Sequence, residues 1–142
     1  MFLGEFEYKI DDKGRVPIPP IFRRELSDKR LILTQGVEKC INTYTPSEWK
    51  KLADSLTTGS VTRSKFRRLN RVIFATAFRL EIDGQGRIAL PVTLRQYAGI
   101  EDEAIIVGVN TSFELWSREL WEEEKATSQE QAWQIIESLE QH

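Results

Sequence analysis

Two five-residue elements carry the chemistry available to this chain. Asp11-Asp12-Lys13-Gly14-Arg15 and Asp83-Gly84-Gln85-Gly86-Arg87 each set an aspartate and an arginine four positions apart across a glycine-bearing turn. At that spacing the two side chains can clasp one another or the turn's own backbone. In one reading the pair is a clamp on the turn, and exposed ion pairs of that kind add little stability. In the other, Arg15 and Arg87 are guanidinium forks displayed on one face. A guanidinium matches a phosphate or the O6/N7 edge of guanine through two parallel N–H bonds, a geometry that lysine lacks. A two-fold-related pair of such forks is what a protein reading a duplex would present.

Other chemistries find little material. Asp11 and Asp83 form a pseudo-symmetric carboxylate pair, and two carboxylates sharing a site can do acid–base hydrolysis. Each is followed by its own arginine, however, and neither sits in an Asp-Thr/Ser-Gly setting, so no enzyme is expected. The one histidine is His142, the last residue, and the one cysteine is Cys40. Histidine-based triads, His-rich metal sites and intrachain disulfides are excluded. Nothing near Cys40 activates it, so it reads as a core or strand residue. There is no phosphate-binding glycine loop; Gly84-Gln85-Gly86 reads as a turn. No cofactor and no small-molecule substrate are expected. Trp49, Trp116, Trp121 and Trp133 read as packing residues on apolar faces.

The elements that position the two motifs come from a chain of 142 residues, one domain's worth, with 40% hydrophobic and 30% charged residues. Those fractions fit a globular domain and exclude a wholly disordered one. No apolar run is long enough to cross a bilayer, and Met1-Phe2-Leu3-Gly4-Glu5 does not open a secretory leader, so a cytoplasmic location is expected. The net charge of -2 hides a split. Residues 1–72 hold fifteen Lys/Arg against nine Asp/Glu; residues 73–142 hold five against thirteen. Between Asp54 and Glu81 there is no acid, but there are Arg63, Lys65, Arg67, Arg68, Arg71 and Arg79. That run is a footprint for a polyanion, a solvated helix face, or a partner for the chain's own acidic tail. An interface against acidic Glu119 to Glu124 is the favoured reading.

The two motifs belong to an internal repeat with an offset of 72. Ile10/Ile82, Asp11/Asp83, Gly14/Gly86, Arg15/Arg87, Pro19/Pro91 and Arg23/Arg95 are identical pairs, and the same offset continues to Gly36/Gly108, Val37/Val109 and Trp49/Trp121. Two copies are too few for a solenoid, so a pseudo-two-fold pair sharing one core is expected. Phe6-Tyr8-Ile10 and Phe78-Leu80-Ile82 alternate with polar residues, the period of a half-buried strand. Gly14 and Gly86 can take the positive φ that the following turns need. Short strands Arg15–Ile18 and Arg87–Leu90 come next, the first at an edge or bulge because of Pro17. Helices at Ile21–Leu26 and Val92–Ala98 open on prolines, with Gly99 suited to end the second. Leu31–Leu33 and Ala104–Val107 read as buried strands, and Ile41–Tyr44 and Phe113–Trp116 as the last strand of each unit. A helix capped at Thr45 carries Trp49, Leu52, Ala53 and Leu56, and after Gly59 a second runs from Thr62 to Ala77. In the second copy Ser117 caps a helix with Leu120 and Trp121, and a separate last helix holds Ala132, Ile135, Ile136 and Leu139.

DDKGRVPIP and DGQGRIALP, with their fixed separation, resemble the twin Asp-x-x-x-Arg signatures of the MraZ family, bacterial transcriptional regulators of the AbrB-like, swapped-hairpin class. The resemblance runs over nearly the whole chain. It implies a mainly β fold with helices (α+β), in which two pseudo-symmetric AbrB-like swapped-hairpin units form one barrel-like module with flanking helical pairs. The units divide as 5–49, with connecting helices over 50–76, and 77–121, with a C-terminal helix over 122–142. It implies binding to double-stranded DNA, at direct repeats upstream of the division and cell-wall gene cluster. Autoregulation, a ring-like homo-oligomer and a place at the nucleoid are also implied. The family's DNA-contacting arginines correspond to Arg15 and Arg87, with Lys13, Arg23 and Arg24 as nearby candidates and Asp11, Gly14, Asp83 and Gly86 as the rest of the motif. Gln85 stands where the first copy has Lys13. The same fold class also serves antitoxins, so a scaffold or antitoxin-like module that binds a protein partner is the alternative.

Overall fold

The alternating stretches at the head of each repeat are strands, but each pairs with the other repeat. In the computed structural model, which describes residues 1–57 and 63–140, the first repeat holds β1 (Glu5–Lys9), β2 (Arg15–Pro17), α1 (Pro20–Arg23), β3 (Arg30–Gln35) and β4 (Ile41–Tyr44). Helices α2 (Pro46–Thr57) and α3 (Arg63–Ile73) follow. The second repeat holds β5 (Phe78–Glu81), β6 (Arg87–Ala89), α4 (Val92–Ala98), β7 (Glu103–Gly108) and β8 (Phe113–Trp116), and closes with α5 (Arg118–Glu140). β1 pairs antiparallel with β7, placing Phe6 opposite Ile106 and Tyr8 opposite Ala104. β5 pairs with β3, placing Phe78 opposite Leu33 and Leu80 opposite Leu31. The result is a six-stranded sheet in the order β1-β7-β8-β4-β3-β5, and a separate two-stranded ribbon of β2 and β6. The fold is α+β, mainly antiparallel, and the two repeats share one core by exchanging their first hairpins.

That core lies between the sheet's inner face and the ribbon. Val16 and Ile88 point into it from the ribbon, Phe22 and Leu94 from the two short helices, and Leu33, Ile106, Phe113 and Leu115 from the sheet. Phe22 is its centre: Phe2, Phe6 and Phe113 each hold their rings 5.2 Å from it, one tilted and two edge-on. Such ring pairs add about 0.5–1.5 kcal/mol beyond the area they bury.

The helices cover the sheet's outer face in matching fashion. Thr45 Oγ1 accepts the Glu48 N–H at the start of α2, and Ser117 Oγ accepts the Leu120 N–H at the start of α5. Each cap aims a tryptophan back at the strand it follows: Trp49 lies 5.8 Å from Tyr44, and Trp121 lies 5.6 Å from Trp116. Cys40 is fully buried beside Trp116, and burial pushes its thiol up to about 12. Among the described residues, no helix is long and apolar enough to cross a membrane.

The structure corrects several details. α1 is a single turn rather than Ile21–Leu26, because Glu25 and Leu26 donate their N–H groups three residues back, to Phe22 and Arg23, and tighten the chain out of the α-helix. α3 stops at Ile73, short of Ala77, where the chain must straighten into β5. Gly59 and Thr62 lie outside the described residues. The two helices expected after Ser117 are one continuous helix of 23 residues. Trp133 on that helix is 70% exposed and packs in no core. The offset of the repeat is also not constant. Gly36 donates its N–H to Cys40 O and Val109 donates to Ser112 O, so Gly36 corresponds to Val109 and not to Gly108. One residue is inserted between Arg95 and β7, and one is dropped in the β7–β8 turn.

Candidate nucleic-acid interface

Each motif turn is built the same way. Gly14 donates its N–H to Asp11 O and Gly86 to Asp83 O, both at 3.0 Å, and both glycines sit at positive φ, 76° and 78°. A side chain strains that backbone, so glycine is the residue that closes it. The aspartate then holds the turn from inside. Asp11 Oδ1 accepts the N–H of Lys13 at 3.0 Å and of Arg15 at 2.9 Å, and its Oδ2 accepts Arg15 Nε at 2.7 Å. Asp83 repeats this with Gln85 N–H and Arg87 N–H at 2.9 Å and Arg87 Nε at 3.0 Å. Both carboxyls are held below the ordinary aspartate value of 3.8, chiefly by the backbone N–H of Arg15 and of Arg87 respectively.

The clamp and the fork are therefore one arrangement. The carboxylate takes Nε, which fixes the rotation of the guanidinium and leaves the Nη edge of Arg15 with no partner among the described residues. The side chains of Arg15 and Arg87 are 31% and 25% exposed. The ribbon's register puts them on one side: Arg15 stands opposite Ala89 and Pro17 opposite Arg87, while Val16 and Ile88 between them face the core. Directly opposed residues of an antiparallel pair share a face. Arg15 and Arg87 thus lie at the two ends of one outward face.

The exchange of hairpins also carries each turn to the other repeat's short helix. Ile18 donates its N–H to Gly86 O at 2.8 Å, and Leu90 donates to Gly14 O at 2.9 Å. Arg23 consequently lies over Gly86, where a Cβ would stand 2.7 Å from its Cζ. Arg95 lies over Gly14, with the matching distance 3.2 Å, and its Nε donates to Leu90 O at 3.3 Å. Of the expected residues, Lys13 is in the first turn, Arg23 lies over the second, and Arg24 is exposed as the next residue along from Arg23. Arg95 is legible in the sequence only as the repeat partner of Arg23; its place against the first turn follows from the exchange. The glycines thus serve twice, as the turn's left-handed residue and as the floor on which an arginine from the other repeat rests.

The basic run is separate from this face. α3 carries no buried residue, and Arg63, Arg67, Arg68 and Arg71 are exposed along it. On α5, Glu119, Glu122 and Glu123 are exposed.

A family model described as "MraZ protein, putative antitoxin-like" matches residues 1–72 and again 73–138, one match to each repeat. A protein of Dehalococcoides mccartyi strain BAV1 named "Transcriptional regulator MraZ" is 57% identical over 143 residues, covering the whole of both chains. Its namesake in strain 195 of that species is 56% identical over 141 residues, covering 99% of each chain. One of the same name from Thermoanaerobacter pseudethanolicus is 46% identical over 123 residues, covering 87% of this chain and 85% of that one.

Proposed function

Because the chain belongs to the MraZ family, we propose that it is a transcriptional regulator that binds double-stranded DNA through the outward face of the β2–β6 ribbon. Its target is a set of promoter repeats upstream of the division and cell-wall gene cluster, its own gene included, and it works at the nucleoid. The observation that carries this reading is the pair Arg15 and Arg87 on one outward face, each gripped at Nε by its own aspartate, with Arg87 Nη1 also 3.9 Å from Asp11 Oδ2. A guanidinium so oriented meets a guanine edge or a phosphate with little rotamer freedom left to lose, and a good bidentate base contact discriminates by about 1–3 kcal/mol. Lys13, Arg23, Arg24 and Arg95 surround the pair and supply phosphate contacts. An acidic protein can do this because the local face decides the encounter, not the total charge.

One module offers few points of attachment. A ring-like homo-oligomer sets several modules at fixed spacing, and linked sites raise apparent affinity by about 10²–10⁴ without any new contact. The exposed arginines of α3 facing the exposed glutamates of α5 on the next copy supply the charge complement for such an assembly.

The test is a footprint and gel shift on the region upstream of the protein's own gene, with Arg15→Ala/Arg87→Ala beside the unaltered chain. Specific protection should vanish in the variant while the mass on size exclusion is unchanged. Unchanged affinity in that variant would sink the assignment.

A further inference from the structure

The pseudo-two-fold that relates the two turns does not relate their charges. Backbone bonds fix which positions correspond. Ile10, just before the first turn, donates its N–H to Asp102 O at 2.8 Å; Ile82, just before the second, donates to Lys29 O at 2.7 Å. Asp102 therefore stands beside the first turn where Lys29 stands beside the second. The same comparison sets Gln96, next to Arg95 over the first turn, against Arg24, next to Arg23 over the second. Within the turns, Asp12-Lys13 is set against Gly84-Gln85. The four constant cations, Arg15/Arg87 and Arg23/Arg95, are thus flanked differently. At the first turn the variable positions hold one cation and two carboxylates. At the second they hold two cations and no carboxylate. Arg23, Lys29, Asp83, Gly84 and Gly86 line one shallow pocket at that second turn.

We propose that the second turn, with Arg23, Arg24 and Lys29 around it, is the end that grips the DNA backbone, so that each module lies on its site in a single orientation. This rests on the DNA-binding reading above and adds a direction to it. Lysine and arginine that neutralise phosphates release counterions, and carboxylates along the same path oppose the approach of the strand. The base-reading arginines are shared by both ends, so their surroundings decide which end anchors. The exchange of hairpins is what assembles the anchor: Arg23, Arg24 and Lys29 belong to the first repeat and serve the turn of the second.

Orientation can be read by attaching a hydroxyl-radical-generating iron chelate to the intact protein at Asp12→Cys or at Gln85→Cys, exposed turn positions that make no proposed DNA contact. The native Cys40 is fully buried and stays unlabelled. On the protected region upstream of the gene, the first probe should cut one flank of each repeat and the second probe the other. Equal cutting of both flanks by each probe, with affinity intact, would overturn the single orientation and leave DNA binding standing. The charge origin is tested separately. Arg24→Gln/Lys29→Gln should lower the salt slope of binding by about two, one for each phosphate no longer neutralised, and Lys13→Gln by at most about one. Gln96→Arg/Asp102→Lys gives the variable positions of the first turn the same net charge as those of the second and should let both probes cut both flanks. A larger fall in affinity from Lys13→Gln than from Arg24→Gln/Lys29→Gln would refute the anchor. Failure of the unaltered chain to protect any DNA would remove the parent reading as well.

Discussion

Arg87 Nη1 of the second repeat lies 3.9 Å from Asp11 Oδ2 of the first. Asp11 therefore faces two guanidinium groups, its own Arg15 at 2.7 Å and the partner repeat's Arg87, whereas Asp83, among the described residues, is paired with its own arginine alone at 3.0 Å. The two aspartates are equivalent in sequence and unequal in load. Asp11→Asn should weaken DNA binding several-fold more than Asp83→Asn, because it releases the orientation of both arginines. Gel-shift affinities of the two variants check this, and equal effects would contradict it.

Acid should loosen both turns. Asp11 and Asp83 have carboxyls held below 3.8 by N–H groups that exist in this geometry only when the chain is folded. The unfolded chain therefore takes up these protons first as pH falls. The stabilising contribution is complete above the ordinary aspartate value and is lost as pH drops through it toward the folded value. Urea midpoints measured down through that range should fall more steeply for the unaltered chain than for Asp11→Asn/Asp83→Asn. Parallel curves would show that the clamps contribute nothing.

Two glycines of one turn, Gly84 and Gly86, should respond oppositely to the same substitution. Gly86 has positive φ and Arg23 above it, so Gly86→Ala should cost about 1–3 kcal/mol and displace the arginine as well. At Gly84 a Cβ would meet nothing within 4 Å, and its φ is not in the left-handed region. Gly84→Ala should be neutral or stabilise by up to about 1 kcal/mol through the unfolded chain. Denaturant midpoints at constant m distinguish the two.

The centre of the shared core can be probed at Phe22, which is 1% exposed and touches three other rings. Phe22→Ala should cost about 3–5 kcal/mol. Because the core around that ring draws on both repeats, a single cooperative transition at lower denaturant is expected, without separate melting of the two. Two resolved transitions would mean that the halves are independent.

Arg67→Glu/Arg68→Glu should reduce the sedimentation coefficient of the assembly by opposing α5 of the adjoining copy, while Arg15→Ala should not. High salt should act in the same direction on the unaltered chain, since exposed charge pairs are screened. No change in sedimentation would reject α3 as a contact between copies.

Much of this is legible in the residues. The glycines announce the turns because few other residues tolerate their φ, and β4 and β8 fall on Ile41–Tyr44 and Phe113–Trp116, the stretches expected as the last strand of each unit. Thr45 and Ser117 announce the helix starts through the hydroxyls that cap them. What escapes depends on three-dimensional partners. Gly36 matches Gly108 in a gapless alignment, yet compensating changes of one residue before β7 and after it leave the match false in space; only the hydrogen-bond register shows this. Arg95 belongs to the first turn only because the hairpins cross over. Trp133 reads as a packing residue because a helical stripe does not say whether anything lies against it.

The crossed hairpins also set a timetable for synthesis. β1 leaves the ribosome about a hundred residues ahead of β7, the strand it needs, and Glu5 has no partner until Val107 has been made. A nascent first half holds open edges at β1 and β3, and contacts this distant in the chain are slow to close. Neighbouring ribosomes on one message hold identical open edges, so timely completion of each polypeptide guards against hairpins being lent to the wrong molecule.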